Sequence, residues 1–153
     1  TMNNVIFGND TFSHYETIGG GSGASEKGAG CSAVQVNMTN TAITDPEVIE
    51  HRFPVRIERF EVRTDSGGDG ENPGGNGLTR EYFFEEDTEV SILSQNRKSG
   101  PEGMAGGTSG TPGRQDLILP DGHSIALDYA CTLKVKKGSV LRIQTPGGGG
   151  WSR

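Results

Sequence analysis

Glycine is the residue that most limits what this chain can become. Of its 153 residues 25 are Gly, and they crowd into Gly19–Gly30, Ser66–Gly77 and Gly100–Gly113 before a closing PGGGGW at 146–151. Segments so poor in Cβ atoms lose the most entropy on ordering, so they read as breaks between regular elements. The runs between them are short. Val5–Phe7 and Phe12–Ile18 flank the turn Gly8-Asn9-Asp10, and Ala33–Met38 alternates Val34, Val36 and Met38 with Gln35 and Asn37. That period of two marks a half-buried strand. Phe53–Thr64 is longer, with a slip near Arg59-Phe60 that predicts a bulge. Leu78–Phe84, Glu89–Ser94, Leu117–Leu119, Ser124–Leu127, Thr132–Val135 and Val140–Thr145 complete the set. One helix is predicted, Asp45–Arg52, with Thr44 and Glu47 as a capping box and Pro46 in its first turn. The expected fold class is therefore all-β: a sandwich or barrel of mainly antiparallel strands with glycine-rich loops and one short helix, in a single domain over residues 1–153.

Composition narrows the partners. The net charge is −6 and no Lys/Arg cluster interrupts it, which argues against nucleic acid and against an anionic membrane. No run approaches the ~18 apolar residues of a transmembrane helix. The start TMNNVIFGND has neither the basic nor the apolar region of a signal peptide, which points to a cytoplasmic protein. Thr1 ahead of Met2 reads as an expression scar or as a domain cut from a longer polypeptide. Cys31 and Cys131, far apart and without a CxxC, read as two buried free thiols.

Few residues announce chemistry. The glycine stretches could form anion nests, but Gly19–Gly30 leads into a strand, and GxxxxGK[ST] is missing. They read as tight connections, with the lining of a shared active site as the alternative. His14, His51 and His123 fall into no HxH, HExxH or HxxE pattern, so no metal site is expected from this chain alone. Alternation places His14 and Glu16 on one face and Tyr15 on the other, beside Gly19, Gly20 and Gly21. Tyr15 and Glu16 either orient a substrate and move a proton, or Tyr15 joins the core while Glu16 pairs with an arginine. Gln35, Asn37, Asn40 and Thr41 carry amides and a hydroxyl that either stitch loops together or face a polar pocket. Arg56, Glu58, Glu61 and Arg63 read as a solvated face with cross-strand pairs. No nucleophile elbow or triad is assignable.

The order of the segments says more. TMNNVIFGN, YETIGGGSGA, MTNTAITDPEVIEHRFPVRIERFEVR, SGGDGENPGGNGLTREY, VSILSQNR and RIQTPGGGGW together resemble the C-terminal portion of the hydantoinase B/oxoprolinase family, from Thr1 to Trp151. MTNTAITDPE followed by FPV is most similar to the 5-oxoprolinase branch. The resemblance implies part of an ATP-dependent amidohydrolase that opens a cyclic amide such as 5-oxoproline to glutamate. The complete enzyme would use ATP and a divalent metal. The remainder of the B subunit and a hydantoinase A-type subunit would be the partners. A related acetone- or acetophenone-type carboxylase, or a non-catalytic β scaffold, are the alternatives. Tyr15, Glu16, Gly19–Gly21, Gln35, Asn37, Asn40 and Thr41 would line the substrate pocket. One departure matters: relatives carry His-x-His before MTNT, whereas this chain has Gln35 and Asn37, which cannot titrate near neutral pH. The N-terminal acidic and histidine motifs of such subunits also have no counterpart, so the chain is expected to be inactive alone.

Overall fold

A computed structural model describes residues 1–36 and 39–153. Among the described residues, nine strands and one helix follow in the order β1 (Asn3–Gly8), β2 (Ser13–Thr17), α1 (Pro46–Arg52), β3 (Val55–Arg63), β4 (Gly77–Phe84), β5 (Thr88–Ser94), β6 (Arg114–Ile118), β7 (Ser124–Ala126), β8 (Ala130–Val135) and β9 (Val140–Gln144). All pairings are antiparallel. They build a four-stranded sheet ordered β2-β1-β5-β8 and a five-stranded sheet ordered β3-β4-β9-β6-β7. This is an all-β sandwich, as the alternation implied.

The two sheets meet through their in-phase residues. Val5 and Phe7 of β1 and Val90 and Ile92 of β5 face Tyr82 and Phe84 of β4 and Leu141 and Ile143 of β9, all buried. Phe7 spans the gap, its ring 5.4 Å from Tyr82 and 5.6 Å from Phe84. The predicted slip in β3 is present as a register shift between Ile57 and Arg59. It lets β3 keep its edge position while α1 packs beside it, with Glu50 accepting from the Ile57 N–H at 2.9 Å.

Several local expectations change. The N-cap of α1 is Asp45, whose carboxylate accepts from the Glu47 N–H at 2.9 Å, and Thr44 is drawn elsewhere. Pro46 does open the helix. The strand expected at Ala33–Met38 is reduced, among the described residues, to one bridge between Gly20 and Val34. Cys31 is exposed and Cys131 half-buried, both free, so the expected burial is corrected. Arg56 pairs with Glu58 along its own strand at 2.7 Å, and Arg59 pairs with Glu61 at 3.3 Å. Arg63 leaves that solvated face to donate to the carbonyls of Pro112 (2.9 Å) and Thr145 (3.2 Å).

The glycine stretches are the larger surprise. They lie against residues 145–150, which are all buried. Pro146 O accepts from Gly21 N (3.1 Å), Gly148 N donates to Gly75 O (2.8 Å), and Gly148 O accepts from Gly68 N (2.8 Å). Gly150 N donates to Thr108 O (2.9 Å) while Gly150 O accepts from Met104 N (2.8 Å). The closing segment is thus a rod surrounded by the three stretches. The packing is backbone on backbone: a Cβ on Gly148 would sit 1.9 Å from Ser22 O.

Candidate functional site

Some of the sequence candidates meet at the β2 edge of the sandwich. Glu16 points inward as alternation required and is buried. It meets Arg80 of β4, which is fully buried, with Arg80 Nε 3.1 Å from Glu16 Oε2. Tyr82 donates its phenol to the same carboxylate and accepts from Arg80 Nε at 3.1 Å. Burial, and then the charge of Glu16, hold the Tyr82 hydroxyl well above its ordinary value, so it stays a donor. The Phe60 ring covers the guanidinium, 4.5 Å from its carbon. Of the two readings for this pair of positions, Glu16 does pair with an arginine. Tyr15, by contrast, is exposed on the outer face, its hydroxyl 3.0 Å from Thr17 Oγ1.

This buried group holds the 33–45 connection. Thr44 N donates to Glu16 Oε1 at 3.0 Å, and Arg80 Nη2 donates to Thr44 O at 2.8 Å. Upstream, Gly20 and Val34 exchange two backbone bonds, and Gln35 Nε2 donates to Thr17 O at 2.5 Å. Gln35 Oε1, Arg80 Nη1 and His14 Nε2 are buried without a hydrogen-bond partner among the described residues. Thr39 turns back on Val36 O at 2.8 Å, and Asn40 and Thr41 are exposed. Asn37 lies outside the described residues. The structure therefore gathers Glu16, Gly19, Gly20, Gln35 and the 39–44 segment. Tyr15 joins them only through Thr17, and Gly21 belongs to the glycine layer, where a Cβ would meet Gly75 O at 1.9 Å.

The histidines stay apart. His14 sits between Phe7 and Phe53, each ring 5.1 Å away. Desolvation lowers its imidazole below the ordinary value, partly offset by Glu16. His51 is exposed on α1, and His123 lies beside Asp121 at 3.0 Å on the β6–β7 turn. Among the described residues no three His, Cys, Asp or Glu are grouped to hold a metal ion. The amides of Gly21, Gly68, Gly148 and Gly150 are likewise spent on backbone carbonyls, so the layer offers no phosphate nest there. An open cleft on the other side, lined by Ile6, Phe12, Glu89 and Lys134, includes none of the candidate residues.

Sequence reasoning missed Arg80, Tyr82 and Phe60. The signal was present: Leu78, Arg80, Tyr82 and Phe84 share one phase of an apolar strand, and a charge in that phase requires a buried partner.

Comparisons with known proteins bear on the family and the fold. The family model Hydantoinase B/oxoprolinase matches residues 1–153. The 5-oxoprolinase 1 of Arabidopsis thaliana is 50% identical over 150 residues, 98% of this chain and 12% of that protein. The 5-oxoprolinase of Dictyostelium discoideum is 42% identical over 99% of this chain and 12% of its own length. The chain thus spans about an eighth of these relatives. Among solved structures, an ATP-dependent caprolactamase from Pseudomonas jessenii superposes with a TM-score of 0.80 at 25% identity, over 97% of this chain and 28% of that one. An acetone carboxylase shares the fold at TM-score 0.78 and 18% identity, over 98% of this chain and 25% of that one.

Proposed function

The chain belongs to the hydantoinase B/oxoprolinase family, and we propose that it forms one wall of the active site of an ATP-dependent cyclic-amide hydrolase that opens 5-oxoproline to glutamate. The observation that carries this reading is the 50% identity to a 5-oxoprolinase over 98% of the chain. The chain covers 12% of that relative, which supports assigning the ATP site and any metal to the remaining B region and a hydantoinase A-type partner. The likeness to an ATP-dependent caprolactamase supports a lactam as the substrate class.

Ring opening adds water across the amide C–N bond, leaving a carboxylate and an amine. The chain's own contribution is orientation. Gln35 has an acceptor without a partner among the described residues, and Asn40 and Thr41 are exposed beside it in sequence. Amides and hydroxyls at these positions, and Asn37 with them, hold a substrate's N–H and C=O groups but do not exchange protons near neutral pH. Two free cysteines fit a reducing compartment such as the cytoplasm, and no helix among the described residues is long and apolar enough to cross a membrane.

The test is an assay of the assembled enzyme with 5-oxoproline and ATP. Glutamate should form with ATP and not without it, and this chain alone should be inactive. Turnover only of a ketone with bicarbonate would replace this reading with a carboxylase.

A further inference from the structure

We propose that Glu16 and Arg80 are positioning residues: a two-sided clamp on Thr44 that sets where Asn40 and Thr41 stand in the site. The proposal rests on the reading of the 35–41 segment as an active-site wall. Its geometry is independent of that reading.

Thr44 is gripped at both of its backbone polar groups. Its N–H donates to Glu16 Oε1 at 3.0 Å, and its carbonyl accepts from Arg80 Nη2 at 2.8 Å. The two gripping groups are themselves paired at 3.1 Å, from opposite sheets, and both are buried. Rotation or sliding of the Thr44 backbone therefore breaks a charge-assisted bond inside a low-dielectric core, where such bonds are strongest. Arg80 is a firm post. Its strand β4 is bonded on both sides, to β3 and β9, and Phe60 covers the guanidinium at 4.5 Å.

Among the described residues, the hydrogen bonds of Thr39 and Thr41 stay within their own segment: Thr39 bonds back to Val36, and Thr41 N to Thr39 O. Its upstream anchor is the Gly20–Val34 bridge with the Gln35 side chain on Thr17 O. Downstream of Thr41, the chain is held by Ile43, which packs against the core, and by both backbone polar groups of Thr44. A buried ion pair contributes little net stability over an apolar replacement of similar volume. Its distinctive contribution here is the fixed direction of the two bonds to Thr44.

That distinction supplies the experiment. In the assembled enzyme, the double variant Glu16→Leu/Arg80→Met removes both charges without orphaning either. Glu16→Gln is the milder variant, retaining an acceptor for Thr44 N–H while losing the charge facing Arg80. The double variant takes away the partners of the Tyr82 hydroxyl and of both Thr44 backbone groups, so it should fold with a lowered unfolding temperature. Its kcat/KM with 5-oxoproline and ATP should fall about 10²-fold, as expected for misplaced substrate contacts, and Glu16→Gln should recover part of that loss. Amide hydrogen exchange across 39–45 should quicken at least about tenfold in the double variant.

A folded double variant with wild-type exchange across 39–45 overturns the clamp. Faster exchange with unchanged kcat and KM overturns the positioning role. Failure of the wall reading shows separately: Asn40→Ala and Thr41→Ala would then leave turnover intact whatever the clamp variants do.

Discussion

The sandwich and the glycine layer solve the same problem with opposite materials. In the sandwich, side chains fill the space between sheets, and Phe7, Tyr82, Phe84 and Leu141 interlock there. In the layer, packing is largely backbone on backbone, and segments 19–32, 66–77 and 100–113 close directly on residues 146–151 through backbone bonds. The first arrangement tolerates change where a neighbouring rotamer can give. The second meets a backbone carbonyl at most of its glycines, Gly21, Gly75 and Gly148 among them. Glycine content in this chain is therefore a measure of packing, as apolar content is in the sandwich.

Substitutions can break or sharpen that contrast. The largest effect is expected at Gly148→Ala, where the new Cβ would lie 1.9 Å from Ser22 O and 2.2 Å from its carbonyl carbon. Denaturant unfolding should show a loss of about 4 kcal/mol or more, the range reserved for gross steric or cavity defects. Gly23→Ala is its control, since its nearest neighbour is Gly149 O at 3.8 Å, and it should stay within about 0.5 kcal/mol of wild type. Equal effects at both positions would remove the steric argument. In the sandwich, Leu141→Ala should cost about 3 kcal/mol by the same measurement, because the fully buried side chain leaves a cavity only partly relaxed.

The smallest effect is electrostatic. Desolvation outweighs Glu16 and holds His14 below the ordinary imidazole value of 6.5. Between the lowered value and 6.5 the unfolded chain binds more protons than the folded one, so stability rises with pH through that window and falls on acidification. Denaturation midpoints taken from pH 7 to 5 should decline less steeply in His14→Leu than in wild type. Identical slopes would show that His14 carries no such linkage.

Much of the sandwich was legible because alternation is a property of short windows. Thr88–Ser94 and Val140–Gln144 repeat apolar residues every second position, and each forms a strand close to its expected bounds. The same signal misled at Ala33–Met38. There Gln35 is spent on Thr17 O instead of a ladder, and the described part of the run keeps a single bridge. The glycine layer was not legible, since its order depends on which distant segment lies alongside, and glycine carries no pattern to say so. The candidate site lies between these cases. Glu16 and His14 were placed on the correct face, but the partners of Glu16, Arg80 and Thr44, lie 64 and 28 residues away. Only pairing of the sheets brings them together.

The closing rod has a consequence for synthesis. Its three companion stretches emerge from the ribosome ahead of residues 146–151, and at roughly 5–20 residues per second the last of them waits on the order of seconds. During that interval their amides can pair only with water or with one another, while β1, β2 and α1 are already complete. The nascent chain thus carries three unzipped backbones while β9, a central strand of its five-stranded sheet, is the last strand to arrive, and a ribosomal stall before Pro146 would leave them in that state.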